Sequence, residues 1–229
     1  MKVVILAGGK GTRLAEETSS IPKPMVKIGT QPIILHIINI YKKYGFSDFY
    51  IAGGYKYKII EKFFKNKKIN LKVLDTGKET QTGGRLLKLK KFLKDESFLL
   101  TYGDGLSSVN IKKLVNFHNK NKKIVTMTVV RPAGRWGFVK IVGKKVKSFQ
   151  EKHKNNEGWI NGGFMVMNPA IFEKYKLKNN TILEKEILTN LAKNNQLTAF
   201  KHHGFWQCMD TLREKILLNQ LNKKNAPWK

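Results

Sequence analysis

Six residues that follow a short apolar run, Gly8-Gly9-Lys10-Gly11-Thr12-Arg13, have the composition of an anion-binding loop. Glycines let a backbone approach an anion closely and turn its N–H groups toward it, and Arg13 with nearby Lys23 adds mobile positive charge. Any strand leaving a parallel sheet also needs a tight turn, so the glycine pair alone fits structure as well as function. Spacing removes two familiar nucleotide loops. No GxxxxGK[ST] occurs, and Gly9-x-Gly11 is followed by Leu14 where GxGxxG requires glycine.

Two distant carboxylates could complete a site. Asp104 follows the apolar stretch Ser97 to Tyr102 inside Gly103-Asp104-Gly105, where a carboxylate projects from a strand end with little cover. That placement suits Mg2+, which takes one or two carboxylates with phosphate oxygens and water; a plain turn aspartate is the alternative. Asp210, in Trp206-Gln207-Cys208-Met209-Asp210-Thr211, could supply the second carboxylate or cap a helix that starts there.

The elements that must position these residues alternate. The apolar residues Val3 to Ala7 read as a buried strand, and Pro32 to Tyr44 reads as a helix with Gly45 just past its end. Further strands are expected at Phe49 to Ala52, Leu71 to Leu74 and Ser97 to Tyr102, with helices at Lys58 to Phe64 and Gly83 to Lys94. Such alternation implies βαβ units, a mostly parallel sheet flanked by helices, and ligands at the carboxyl ends of its strands. From Ile124 the rhythm changes to short strands at Val125 to Val130, Gly137 to Ile141, Val146 to Phe149 and Phe164 to Met167. These read as a smaller antiparallel or mixed addition, suited to a pocket wall. Helices at Ile182 to Lys193 and Thr211 to Leu221, with a strand at Leu197 to Lys201, close the chain.

Composition excludes several classes. The 229 residues, 41% hydrophobic, suit one folded domain over 1–229. The N-terminal apolar run is too short for a signal peptide or membrane span, and no later run reaches about 18 apolar residues, so a cytoplasmic protein is expected. Cys208 stands alone, which excludes an intrachain disulfide and reads as a small apolar filler. The net charge of +28 raises nucleic-acid binding as a rival function. Its lysines, however, alternate with apolar residues, as in Lys88-Leu89-Lys90-Lys91-Phe92-Leu93-Lys94, and so fit the solvated faces of amphipathic helices. His202-His203 and the tryptophans Trp136, Trp159 and Trp206 read as packing or pocket wall.

LAGGKGTRL followed by PKPM is similar to the signature of the sugar-1-phosphate nucleotidyltransferases. Asp75-Thr76-Gly77, Thr82-Gly83-Gly84-Arg85-Leu86, Thr101-Tyr102-Gly103-Asp104-Gly105, Trp159-Ile160-Asn161-Gly162-Gly163-Phe164, His203-Gly204-Phe205-Trp206-Gln207, Met209-Asp210-Thr211-Leu212-Arg213 and Ala226-Pro227-Trp228-Lys229 resemble the cytidylyltransferase branch, in order along the chain. The resemblance implies a Rossmann-like nucleotidyltransferase fold, Mg2+, CTP and glucose 1-phosphate as substrates, and a homo-oligomer. It also implies that Leu6, Ala7, Gly8, Gly9, Lys10, Gly11, Thr12, Arg13, Lys23, Thr80, Arg85 and Gly103 bind the nucleotide. Asp104 and Asp210 would hold the metal, Glu151, Lys152 and Gly162 would contact the sugar, and Arg13, Lys23, Asp104 and Asp210 would carry catalysis. UTP or dTTP, or another hexose 1-phosphate, remains the alternative within the class. Three departures stand out: a short lysine-rich connector between Phe64 and Leu71, His153 in place of the usual proline after Glu151-Lys152, and Lys10 at a position often apolar. A sugar phosphate is already largely deprotonated at pH 7, its second pKa being about 6, so this chemistry calls for cations and needs no general base.

Overall fold

The computed structural model describes residues 1–132, 138–150 and 158–229. Strand β1 (Val3–Ala7) is buried along its whole length, as its unbroken apolar sequence requires in the middle of a parallel sheet. Two single 3-10 turns, Thr12–Leu14 and Lys23–Met25, flank helix α1 (Ala15–Thr18), and a small hairpin of β2 (Lys27–Ile28) and β3 (Gln31–Pro32) follows. Helix α2 (Ile33–Lys43) buries Ile33, Ile34, Ile37, Ile38, Ile40 and Tyr41 on one face and ends in Lys42 and Lys43, which complement its dipole.

The chain continues through β4 (Phe49–Gly53), α3 (Tyr57–Phe64), β5 (Leu71–Asp75), α4 (Thr82–Lys88), α5 (Lys90–Leu93), β6 (Phe98–Tyr102), β7 (Gly105–Ser107), α6 (Ile111–Asn121) and β8 (Val125–Val130). A hairpin of β9 (Phe138–Val142) and β10 (Lys145–Gln150) comes next, then β11 (Ile160–Met167) and α7 (Ile171–Lys174). A π-helical stretch, Leu183–Leu188, runs into α8 (Thr189–Lys193), followed by β12 (Leu197–His202), β13 (Trp206–Cys208) and α9 (Leu212–Lys224). No helix of the described residues is long and apolar enough to cross a membrane.

Seven strands form the central sheet in the order β12-β8-β11-β6-β1-β4-β5. Strand β1 pairs in parallel with both β4 and β6, and β11 runs antiparallel to β6 and β8. Alternate side chains of each strand enter opposite cores. Val3, Ile5, Phe49, Ile51, Phe164 and Val166 pack with α2 on one face, whereas Val4, Leu6, Tyr50, Phe98, Leu100 and Met165 pack with Leu86, Leu93 and Leu191 on the other. The parallel register sets Ala7 beside Gly53 and Leu6 beside Tyr102, so the loops after β1, β4 and β6 leave the sheet at one edge. The chain turns from β1 to β4 on one side and later to β6 on the other, which makes this edge a topological switch point.

One expectation is corrected. The segment Gly83 to Lys94 is not one helix: Leu89 N–H bonds the Leu86 carbonyl at 3.1 Å and Phe92 N–H the Leu89 carbonyl at 2.9 Å. Leu86, Leu89 and Leu93, at the i, i+3, i+7 spacing of one helical face, all stay in the core across the break. The later strands form the expected mixed addition: β8, β11 and β12 extend the main sheet, and among the described residues β9 with β10 and β7 with β13 form separate antiparallel pairs.

Gly83 and Gly84 open α4 against the backbone of Asn179 to Thr181, and Gly83 N–H donates to the Thr181 carbonyl at 2.9 Å. A Cβ on Gly84 would lie 2.3 Å from the Asn179 carbonyl oxygen. Gly84→Ala is therefore expected to cost about 1–3 kcal/mol through forced backbone displacement, read as a fall of several degrees in Tm by circular dichroism.

Candidate functional site

At the switch-point edge lies a cavity of about 320 Å³ lined by Leu6, Ala7, Gly8, Gly9, Gly11, Thr12, Arg13, Lys23, Pro24, Thr80, Gln81, Thr82, Arg85, Tyr102, Gly103 and Asp104. Gly11 has φ 69°, a left-handed conformation, and a Cβ there would meet Thr18 Cγ2 at 2.9 Å. Gly103 is required by close approach: a Cβ would lie 2.9 Å from Pro24 Cγ and 3.1 Å from the Leu6 carbonyl oxygen. The Lys-Pro-Met turn is thus pressed directly onto the end of β6.

An ion cluster sits at one side of the cavity. Lys23 Nζ donates to Asp104 Oδ2 and to Asp210 Oδ1, both at 2.6 Å, and Arg13 Nη1 pairs with Asp210 Oδ2 at 2.9 Å. Lys23 is mostly buried, at 12% side-chain exposure, while Arg13 is 73% exposed. Burial acts to lower the Lys23 ammonium, but the carboxylates of Asp104 and Asp210 outweigh it and hold the pKa above the ordinary lysine value. Burial acts to raise the Asp210 carboxyl; hydrogen bonding and charge from Lys23, aided by Arg13, win and hold it below the usual carboxylate range. Lys23 and Asp210 are therefore both charged at neutral pH.

Antiparallel pairing of β7 with β13 brings the two aspartates together. Cys208 lies opposite Gly105, and Met209 N–H donates to the Asp104 carbonyl at 2.9 Å. The helix-cap alternative for Asp210 is corrected: Thr211 caps α9 in a capping box with Glu214, leaving the Asp210 carboxylate to the cluster. Glu214 also accepts from Asp210 N–H at 2.6 Å, which fixes that residue's backbone. Cys208, Asp210 and Glu214 lie close enough to share an ion, yet the thiol is pushed up to about 12 by burial and the neighbouring carboxylates, and Glu214 is engaged at the cap. The thiol is neutral and unreactive, consistent with a small filler.

Arg85 reaches the cavity wall, but its guanidinium is engaged in holding backbone. It donates to the carbonyls of Gly8 at 3.0 Å, Gly53 at 3.1 Å and Gly77 at 2.9 Å, and to Thr76 Oγ1 at 2.6 Å. Lys10 points outward and pairs with Glu79 at 3.0 Å. Gly162 faces strand β8, where a Cβ would lie 2.9 Å from Val130 Cγ1, and its carbonyl accepts from Trp206 Nε1 at 2.8 Å. Glu151 and Lys152 lie outside the described residues. His202 contacts the Phe205 carbonyl at 3.1 Å and His203 packs edge-on against Trp159, both packing roles.

Sequence reasoning missed a polar wall. Tyr102 O–H donates to Glu184 Oε1 at 2.7 Å, Thr82 O–H donates to Glu184 Oε2 at 2.7 Å, and Asn161 Nδ2 donates to the Tyr102 oxygen at 3.1 Å. Burial and the Glu184 charge push the Tyr102 hydroxyl far above its ordinary pKa, so it remains a donor. Tyr102 adjoins the Gly-Asp-Gly motif and could have been suspected. Glu184 carried no signal, because nothing in Leu-Glu-Lys-Glu distinguishes it from a solvated helix residue.

Residues 2–213 match the nucleotidyl transferase family. The chain belongs to that family. Among relatives of this nucleotidyl transferase, glucose-1-phosphate cytidylyltransferases of Salmonella typhi and Salmonella typhimurium are each 44% identical over 255 residues, covering 100% of this chain and 99% of theirs. A structure of UDP-glucose pyrophosphorylase complexed with UDP-glucose shares the fold, with a TM-score of 0.76 at 18% identity over 97% of this chain and 98% of that one.

The Arg85 geometry yields a test. Arg85→Met removes the charged donor shared by Gly8, Gly53, Gly77 and Thr76 and is expected to cost about 1.5–3 kcal/mol, the scale of hydrogen bonds to a charged group, with Gly8 and Gly53 keeping the Tyr55 and Thr76 N–H groups as donors. Arg85→Lys should rescue little of this, because an ammonium cannot span the fork of acceptors. Urea unfolding monitored by tryptophan fluorescence gives both values.

Proposed function

We propose that this chain joins CTP to α-D-glucose 1-phosphate, forming CDP-glucose and pyrophosphate. Identity of 44% along the whole chain to proteins of that name supports the reaction. The observation that carries the reading is the ion cluster at the glycine-lined cavity: Lys23 and Arg13 converge on Asp104 and Asp210 beside a loop built for phosphate.

In this reading the triphosphate lies along Gly8 to Arg13, with the walls at Thr80 and Gly103 orienting the nucleoside. A sugar-phosphate oxygen attacks the α-phosphorus in line; its bond forms as the bond to the β-phosphate oxygen breaks, and pyrophosphate leaves. No side chain needs to accept a proton, because the nucleophile's second pKa is about 6. Arg13 and Lys23 neutralise charge that moves onto the leaving pyrophosphate. Glu151 and Lys152 are assigned to the sugar and its phosphate by resemblance, with Gly162 close by.

A divalent metal fits the carboxylates. Asp104 Oδ2 and Asp210 Oδ1 already converge on one positive nitrogen at 2.6 Å each, and hard oxygen donors of this number match Mg2+ when phosphate oxygens and water complete the shell. Bound there, Mg2+ supplies electrophilic stabilisation of the phosphoryl oxygens. One central sheet through both cores supports a single domain over 1–229. Cytoplasmic location and assembly of copies belong to the same reading.

A pyrophosphate-release screen of CTP, UTP, dTTP and GTP against several hexose 1-phosphates tests the assignment. Release should require both CTP and glucose 1-phosphate; preference for UTP or dTTP overturns the base. Asp104→Asn and Asp210→Asn should each lower kcat by roughly 10²–10³, the scale of losing one preorganised electrostatic group, with the far-UV spectrum unchanged. Near-normal turnover in either variant removes that residue from the reaction.

A further inference from the structure

The Lys23 ammonium occupies the place at which Asp104 and Asp210 converge. It donates to one oxygen of each at 2.6 Å, and Arg13 takes the second oxygen of Asp210 at 2.9 Å. Two aspartates therefore face two cations before any ion or nucleotide enters. A divalent ion bound to the same two oxygens would stand about 2.0–2.1 Å from each, as Mg2+ requires. The ammonium cannot keep both short contacts in that arrangement: it would lie almost against a like charge with no solvent between them.

We propose that Lys23 is a resident stand-in for the metal, and that the two cations exchange. Lys23 holds the aspartates together in the free protein, yields them to the divalent ion, and transfers its ammonium to the triphosphate. This rests on the reading of Asp104 and Asp210 as metal ligands and adds the exchange to it.

The surroundings suit such a movement. The Lys23 backbone is fixed in a 3-10 turn between Pro22 and Pro24, and its Cβ lies 3.1 Å from where a Gly11 Cβ would be. The flexible stem beyond Cβ can swing while its base stays in place. Lys23 also lines the cavity beside Gly8, Gly9, Gly11 and Thr12, so the phosphate loop is its adjacent alternative partner. Without a polyanion, displacement of the ammonium leaves it half-buried and unpaired. With a triphosphate present, it exchanges one set of anionic oxygens for another. Metal and nucleotide therefore favour each other's binding, and by linkage the coupling is reciprocal.

The test is Mn2+ binding followed by electron paramagnetic resonance and water-proton relaxation, which separate enzyme-bound ion from free ion and from the nucleotide complex. Without nucleotide, wild-type protein should bind Mn2+ weakly, and Lys23→Met, which removes the competing cation, should bind it at least tenfold tighter. A non-hydrolysable CTP analogue should tighten Mn2+ on the wild type and lose most of that effect in Lys23→Met. Equal or weaker nucleotide-free binding by a folded Lys23→Met or Lys23→Gln protein overturns the exchange, leaving Lys23 as a prop for the carboxylates. The wild-type measurement needs no variant: Mn2+ binding as tight without the analogue as with it overturns the exchange equally. If adding Asp104→Asn to Lys23→Met leaves Mn2+ affinity unchanged, the assignment of the metal ligands itself fails.

Discussion

One ammonium nitrogen shared between two carboxylates ties together three distant parts of this chain. Lys23 comes from the turn after the phosphate loop, Asp104 from the end of β6, and Asp210 from the junction of β13 and α9. A half-buried aspartate pair is unfavourable in isolation, because like charges repel and burial removes water from both. The bridging cation reverses that balance, and Arg13 completes it. Placement of the aspartates depends in turn on the β7–β13 ribbon and on the capping box of α9, which hold their backbones with bonds that do not involve the charges.

A second cation does a different task. Arg85 binds the carbonyls of Gly8, Gly53 and Gly77, at or just past the ends of β1, β4 and β5, and so ties these three strand ends together. The phosphate loop is thus held from behind by Arg85 and confronted from the front by Lys23. Glycine at 8 and 54 follows from this arrangement, because a Cβ at either position would overlap the guanidinium. Tyr102 and Thr82 line the cavity and both donate to Glu184, and Asn161 donates to Tyr102, which joins β6, β11, α4 and the π-helical stretch.

Much of the fold was legible because its signals are local. The apolar run of β1, the periodic isoleucines of α2 and the glycines after strands each follow from burial or backbone freedom within a few residues. The break at Leu89 was not legible, because it depends on which distant surface the segment meets. Among site residues, the loop and the two aspartates stood out by type and neighbours. Glu184 did not, since its distinction is solely the hydroxyls that face it.

The sequence by itself determined the elements, the phosphate-loop chemistry and the family resemblance, because these reside in residue types at short or fixed spacing. Tertiary structure alone decided the division of labour among the cations. Lys23, Arg13, Arg85 and Lys10 all read as candidates for phosphate, yet Lys23 sits between two carboxylates, Arg13 pairs with one of them, Arg85 holds carbonyls and Lys10 pairs with Glu79 at the surface. A cation's partner is whichever anion or dipole the fold brings within about 3 Å, and sheet register and a distant strand pairing, not neighbouring sequence, set that distance here.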